Sequence, residues 1–108
     1  MSQIKLTYKG KEYTLEFTRL VARQMEQQGF NVQEIDEKPM TMIPMLWEGA
    51  FRAHHTGMKR ALYDEIYKSI PKKVELIGAL GELYAETINT LMDDAPETEG
   101  NATWEVLR

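Results

Sequence analysis

The chain has 108 residues, a formal charge of −4 and no cysteine. Disulfides, thiolate metal sites and a cysteine nucleophile are therefore excluded, and the cysteine usage suits a reducing compartment. The length fits one domain that can bury about two-thirds of its unfolded surface, enough for a core without covalent staples.

The charge is unevenly placed. Residues 1–30 carry +2, 31–60 are balanced, 61–92 carry −2 and the stretch from Asp93 onward carries −4. No basic stripe is available to neutralise phosphates, which argues against nucleic-acid binding. The basic start and acidic end can instead attract each other, within a chain or between copies. The opening residues lack the apolar run of a signal peptide, and no run approaches the ~20 apolar residues of a membrane span.

In chain order, Ile4-Lys5-Leu6-Thr7-Tyr8 and Glu12-Tyr13-Thr14-Leu15-Glu16-Phe17 alternate apolar and polar residues around Lys9-Gly10-Lys11. This predicts a β-hairpin (residues 4–17) with Gly10 supplying the turn. Ile4, Leu6, Tyr8, Tyr13, Leu15 and Phe17 would share its inner face. A lone hairpin is marginal in water, so that face must pack on helices or on another strand. Thr18 is the candidate N-cap of a helix to about Gln28, with Val21, Ala22 and Met25 inward. Gly29 sits where a left-handed residue ends a helix, and Phe30 follows where an apolar contact back onto the helix is common. Asn31-Val32-Gln33-Glu34 resembles a capping box opening a short helix, with Glu34 reaching back and Val32 and Ile35 inward. Lys38-Pro39 ends it.

The next helix holds the most aromatic face of the chain. Ile43, Leu46, Trp47, Ala50, Phe51 and His54 fall at i, i+3, i+4, i+7, i+8 and i+11, the period of one helical face. Thr41 is expected as its N-cap. Pro44 would then lie in the first turn, where a missing N–H costs nothing. His55-Thr56-Gly57 closes the helix. A further helix is predicted from about Met58 to Ser69, with Leu62, Ile66 and Ile70 inside, until Pro71 breaks the chain. The last runs from about Lys72 to Met92, with Leu76, Ile77, Leu80, Leu83, Tyr84, Thr87, Ile88 and Leu91 in helical period. Gly78 and Gly81 each cost up to about 1 kcal/mol relative to Ala within it, and are expected to permit close helix–helix approach.

Residues 1–92 thus read as a single globular domain of the α+β class, an N-terminal β-hairpin packed on four to five α-helices. Residues 93–108 read as an acidic linker and a C-terminal segment. Asp93-Asp94-Ala95-Pro96-Glu97-Thr98-Glu99-Gly100 has the composition of a solvated stretch. Ala102-Thr103-Trp104-Glu105-Val106-Leu107 alternates again, with Ala102, Trp104 and Val106 on one side, and reads as a third strand paired with the hairpin or with another copy.

No catalytic, cofactor or metal site is expected. Adjacent residues on a helix point about 100° apart, so His54 and His55 cannot form one site unaided. They read as helix-end histidines that satisfy carbonyls or face solvent. Asp64-Glu65 and Asp93-Asp94 read as solvated carboxylates, since nothing nearby would split their pKa values. Gly78-Ala79-Leu80-Gly81 follows no strand and is no phosphate loop.

The methionines are more informative. Met40, Met42 and Met45 fall within six residues, ahead of Trp47 and Phe51. One helix face cannot bury them all, and methionine adapts to irregular apolar partners. Met40, Met45, Trp47 and Phe51 are the candidate partner-binding residues. Trp104 joins them, either as a core anchor or as an anchor between copies.

Several of these stretches together resemble a known family. They are Tyr8-Lys9-Gly10-Lys11-Glu12-Tyr13-Thr14-Leu15-Glu16-Phe17, Arg23-Gln24-Met25-Glu26 with Gly29-Phe30, and Lys38-Pro39-Met40-Thr41-Met42-Ile43-Pro44. Gly49-Ala50-Phe51 with His54-His55, and Gly100-Asn101 with Thr103-Trp104, complete the set. In this order, over nearly the whole chain, they look like the tail assembly chaperones of long-tailed phages and prophages of Gram-positive bacteria. The resemblance implies a small, largely helical, homo-oligomeric, non-enzymatic protein of the bacterial host cytoplasm. Such a protein coats the tape measure protein during tail assembly and is absent from the mature virion. It also implies a longer frameshifted form, found for many such chaperones, whose extra domain recruits the tail tube protein; this chain would correspond to the short form. The resemblance carries no catalytic residue and no specific binding motif to transfer.

Three other classes compete. A structural connector or tail completion protein would stay in the virion. A small regulatory binder such as an antitoxin would form a tight complex with one small partner. An enzyme would need a concave pocket with convergent polar groups, for which the sequence offers no candidates.

Overall fold

A computed structural model describes residues 2–93, 102 and 104–107. Strand β1 (Ile4–Tyr8) and strand β2 (Lys11–Leu15) form an antiparallel hairpin, followed by helices α1 (Arg19–Gln27), α2 (Pro39–Phe51), α3 (Arg60–Ser69) and α4 (Lys73–Asn89). The fold is α+β, as the alternating and helical periods require.

The turn is tighter than expected. Lys9 and Gly10 both take positive φ, 49° and 79°, the two-residue turn whose twist matches that of the flanking strands. Lys11 consequently belongs to β2 and pairs with Tyr8, and the register runs on through Leu6↔Tyr13 to Ile4↔Leu15. Tyr13, Leu15 and Phe17 are buried, while Ile4, Leu6 and Tyr8 are half-buried against the same core. The inner face is the expected one.

Helix α1 begins and ends as its sequence dictates. The Thr18 hydroxyl accepts the Val21 N–H at 3.2 Å. At the other end Gly29 takes φ 96°, the Phe30 N–H donates to the Met25 carbonyl at 2.9 Å and the Gly29 N–H to that of Glu26 at 3.0 Å. These paired bonds satisfy the last carbonyls and turn Phe30 into the core. Asn31 caps a single 3-10 turn, Val32–Glu34, by accepting the Gln33 N–H at 2.9 Å. Glu34 does not reach back to the cap as a capping box requires. Its carboxylate instead faces the Lys38 ammonium at 3.9 Å.

Helix α2 starts earlier than Thr41 allows. Lys38 is its N-cap residue and Pro39 its first residue, so Thr41 lies inside the first turn and caps nothing. Pro39 takes the place where a missing N–H is harmless. Pro44 therefore lies within the helix, where it removes one i→i−4 hydrogen bond and leaves the Met40 carbonyl without that donor. Exposure of Pro44 at the surface leaves that carbonyl open to water.

Helix α2 is the hub of the core. Met42, Leu46, Trp47, Ala50 and Phe51 are buried, facing β2, α1 and α4. Phe51 meets Trp47, Tyr63 and Tyr13 edge to face, with ring centroids 4.8, 5.4 and 5.7 Å apart, the geometry favoured by aromatic quadrupoles. A second cluster joins Tyr84 of α4 to Phe17 and Phe30 at 5.4 and 4.9 Å. Gly49 lets α1 and α2 touch: a Cβ there would lie 2.5 Å from Met25 Sδ. The expectation for Gly78 and Gly81 does not hold, because a Cβ at either position meets nothing within 4 Å. These two glycines leave α4 a smooth outer surface and bring no helix close.

Helix α4 enters from Lys72 in the left-handed conformation and closes in a 3-10 turn, Thr90–Met92. Arg19 holds that end, donating to the Thr90 hydroxyl at 3.1 Å and the Thr90 carbonyl at 2.8 Å. Thr87 is buried and donates to the Phe17 carbonyl at 2.7 Å, tying α4 to the link between β2 and α1. Among the described residues the sheet has two strands. Ala102 and Trp104–Leu107 lie in no strand and are exposed, so no third strand is formed among the described residues. The expected acidic linker over residues 94–101 lies outside the described residues.

Candidate partner-binding face

The N-terminal half of α2 carries the surface of most interest. Because α2 begins at Pro39, Met40 stands in its first turn and points outward, 88% exposed. At the start of α4, Val74 is 87% exposed. Val74 lines a groove of about 310 Å³ with Ile35, Asp36, Pro39, Ile43, Tyr67, Lys73 and Ile77, while Met40 follows Pro39 in sequence and does not line it. Ile43 and Tyr67 also line a second cleft with Pro44, Trp47, Glu48 and Asp64. The two clefts share a wall and make one apolar strip along α2 between α3 and α4. Lys73 is held at its border, its ammonium donating to the Ile70 carbonyl at 2.8 Å and lying 5.5 Å from the centre of the Tyr67 ring.

Of the sequence-derived candidates, Trp47 lines the strip, while Met40, Met45, Phe51 and Trp104 do not. Met40 is free to meet a partner. Met45 is half-buried against the core. Trp47 is 3% exposed and Phe51 is 0% exposed, which corrects their assignment as contact residues. Trp47 donates its indole N–H to the Tyr63 carbonyl at 3.0 Å, and both rings are consumed by the aromatic cluster. A partner could reach Phe51 only by opening the core. Trp104, at 87% exposure, is accessible but belongs to no part of this strip. Val74 was missed, since its flank of α4 shows only a lone apolar residue among Lys72, Lys73 and Glu75. A second apolar patch lies at the far end of α4, where Leu20, Leu91 and Met92 are exposed beside a groove of about 260 Å³ lined by Arg19, Ala22, Arg23, Glu26, Thr87, Ile88 and Leu91.

The histidine pair has a structural role. His55 Nε2 accepts the Thr14 N–H at 2.9 Å, His54 Nε2 bonds the Glu16 carboxylate, and the Glu16 N–H donates to the Ala50 carbonyl at 3.0 Å. The C-terminal end of α2 is thereby clipped to the outer edge of β2. Burial, with the nearby Lys11 and His54 charges, lowers the pKa of His55 and keeps Nε2 an acceptor. The Glu16 carboxyl is also held low, chiefly by the His54 bond and, against the cost of burial, by Gln3. Among the described residues no group of three or more His, Asp or Glu is placed to hold a metal ion. No helix among them is long and apolar enough to cross a membrane.

The fold and the strip define a small α+β protein with apolar surface beside a sealed aromatic core. Residues 1–107 match the family described as a domain of unknown function (DUF5055), and the chain belongs to it. No protein of curated function and no solved structure matches the chain.

Proposed function

We propose that this protein is a phage tail assembly chaperone, a non-enzymatic holdase that binds and solubilises the tape measure protein in the bacterial host cytoplasm. The observation that carries the reading is the apolar strip lined by Ile43, Tyr67 and Val74, together with Met40, 88% exposed in the first turn of α2. A tape measure protein presents long amphipathic helices, and such a helix lays its apolar face into a groove through anchors at i, i+3, i+4 and i+7. An exposed methionine in the first turn of α2 suits a partner whose sequence varies along its length. The sequence resemblance supplies the identity of that partner. Many copies along one long helix, associating with each other, would cover it until the tail tube forms. A longer frameshifted form would bring the tail tube protein to the complex.

The test is co-expression with the tape measure protein of the same tail gene cluster. Met40→Asp combined with Val74→Asp places two charges on exposed positions and leaves the core intact. Co-purification should be lost while the circular dichroism and melting temperature stay unchanged. Retained co-purification overturns the strip as the binding face. Failure of the unmodified protein to bind, with the chain found in purified virions, overturns the chaperone reading in favour of a connector.

A further inference from the structure

The two edges of the hairpin are treated differently by the fold. With Tyr8↔Lys11, Leu6↔Tyr13 and Ile4↔Leu15 as the hydrogen-bonded pairs, the backbone groups of Glu12, Thr14 and Glu16 point away from β1, and those of Lys5 and Thr7 point away from β2. On the β2 side the outward N–H groups of Thr14 and Glu16 are taken by His55 and by Ala50 of α2. On the β1 side, among the described residues, the outward groups of Lys5 and Thr7 meet no partner. Next to that edge lies a groove of about 460 Å³, formed by β1 with Ile66, Ile70, Leu76 and Ala79 of the α3–α4 corner. Lys5, Lys72 and Glu75 are the charged groups on its wall.

The chain also carries a strand-patterned segment that pairs with no strand among the described residues. Trp104, Val106 and Leu107 are exposed and lie in no strand. Trp104 and Val106 alternate with Glu105. We propose that Trp104–Leu107 of a second copy adds as a strand to the free edge of β1, each copy giving its segment to the other. This rests on the self-association in the proposed function and gives it a definite surface.

Three observations select this occupant. An added strand completes the outward N–H and C=O groups of Lys5 and Thr7, as strand addition to an exposed edge generally does. Trp104 and Val106 then continue the inner face of Ile4, Leu6 and Tyr8 and cover the apolar groove, while Glu105 falls on the outer face beside Lys5. The charges also agree: residues 93–108 carry −4 and residues 1–30 carry +2, which steers the two ends of different copies together. In its own chain the segment lies in no strand, with Trp104 87% exposed, so it is available to another copy. A reciprocal exchange closes as a two-fold dimer.

The test is sedimentation of the full chain from micromolar to near-millimolar concentration, with amide exchange followed at Lys5 and Thr7. The expected result is a concentration-dependent dimer whose formation slows exchange of both amides. Trp104→Ala, at a position exposed in the single chain, should weaken the dimer by about 30-fold or more, as a buried aromatic anchor does, without changing the melting curve of the monomer. Mixing labelled with unlabelled chains should show contacts between Trp104 of one and Leu6 of the other. A chain that stays monomeric throughout overturns the proposal. So does a dimer indifferent to Trp104→Ala, or Lys5 and Thr7 amides already protected in the monomer, which would mean that the segment pairs within its own chain. An unmodified chain that binds the tape measure protein but forms no such dimer removes this contact and leaves the proposed function standing; a chain that forms the dimer but does not bind the tape measure protein does the opposite.

Discussion

Gly49→Ala and Gly81→Ala make the same chemical change in the middle of a helix, yet the structure predicts opposite outcomes. At Gly78 and Gly81 a new Cβ meets nothing within 4 Å, so only helix propensity acts. Each substitution to Ala should stabilise by about 0.8–1 kcal/mol, which for a domain near 100 residues raises the melting temperature by about 4–8 °C. At Gly49 the Cβ would lie 2.5 Å from Met25 Sδ, 2.9 Å from its Cε and 3.3 Å from its Cγ. Methionine is flexible, but Met25 is buried between α1 and α2 and has no open side to swing towards. Overpacking of this kind costs about 1–3 kcal/mol, which offsets or exceeds the propensity gain. Urea denaturation of the three single variants measures the difference directly, and Gly49→Ala should fall below Gly81→Ala by about 1–3 kcal/mol. Met25→Ala should cost less in the Gly49→Ala background than in the parent, because the clash is relieved and the new Cβ takes up part of the space the methionine leaves. If Gly49→Ala melts as high as Gly81→Ala, the close approach of α1 and α2 is wrong.

Two further outcomes follow from buried polar contacts. Thr87→Val keeps the shape but leaves the Phe17 carbonyl without its donor at 2.7 Å; chemical denaturation should show a loss of about 1–3 kcal/mol, and an unchanged midpoint would mean that water replaces the hydroxyl. The His55 clip predicts a pH dependence. His55 is shifted below its ordinary 6.5 and Glu16 below its ordinary 4.5, so in both cases the unfolded chain takes up its proton first as the pH falls. Stability should be full above 6.5, decline as the pH falls through the lowered His55 value, and decline again below 4.5 as Glu16 is protonated. His55→Ala should lower the neutral-pH plateau by about 1–3 kcal/mol, since the Thr14 N–H loses its acceptor, and should flatten the first decline. Thermal melts across pH 4 to 8 read both effects, and a variant with the same first decline as the parent refutes the assignment to His55.

Much of this architecture is local in origin and therefore readable from residue order. Alternation set the hairpin and its inner face, Thr18 and Gly29-Phe30 set both ends of α1, and the apolar spacing of Leu46, Trp47, Ala50 and Phe51 set the buried face of α2. Each of these depends on neighbours within a few positions. The fate of Trp47 and Phe51 was not local. Periodicity says that a residue faces something, but only the approach of Tyr13, Tyr63 and Tyr67 makes that something the core and removes both rings from the candidate site. Glycines divide in the same way: Gly10 and Gly29 answer to backbone conformation, whereas the role of Gly49 and the idleness of Gly78 and Gly81 are decided by which helix lies opposite.

By itself the sequence determined the class, the order of the elements and the surplus of apolar side chains, because short-range sterics and periodicity act along the chain. The tertiary structure alone decided which of those side chains remain outside, Met40, Val74 and Trp104 among them. It also decided that, among the described residues, the outer edge of β2 is taken by the end of α2 while that of β1 meets no partner. Exposure is a property of what packs against a residue from far along the chain, and no pattern of adjacent residues records it.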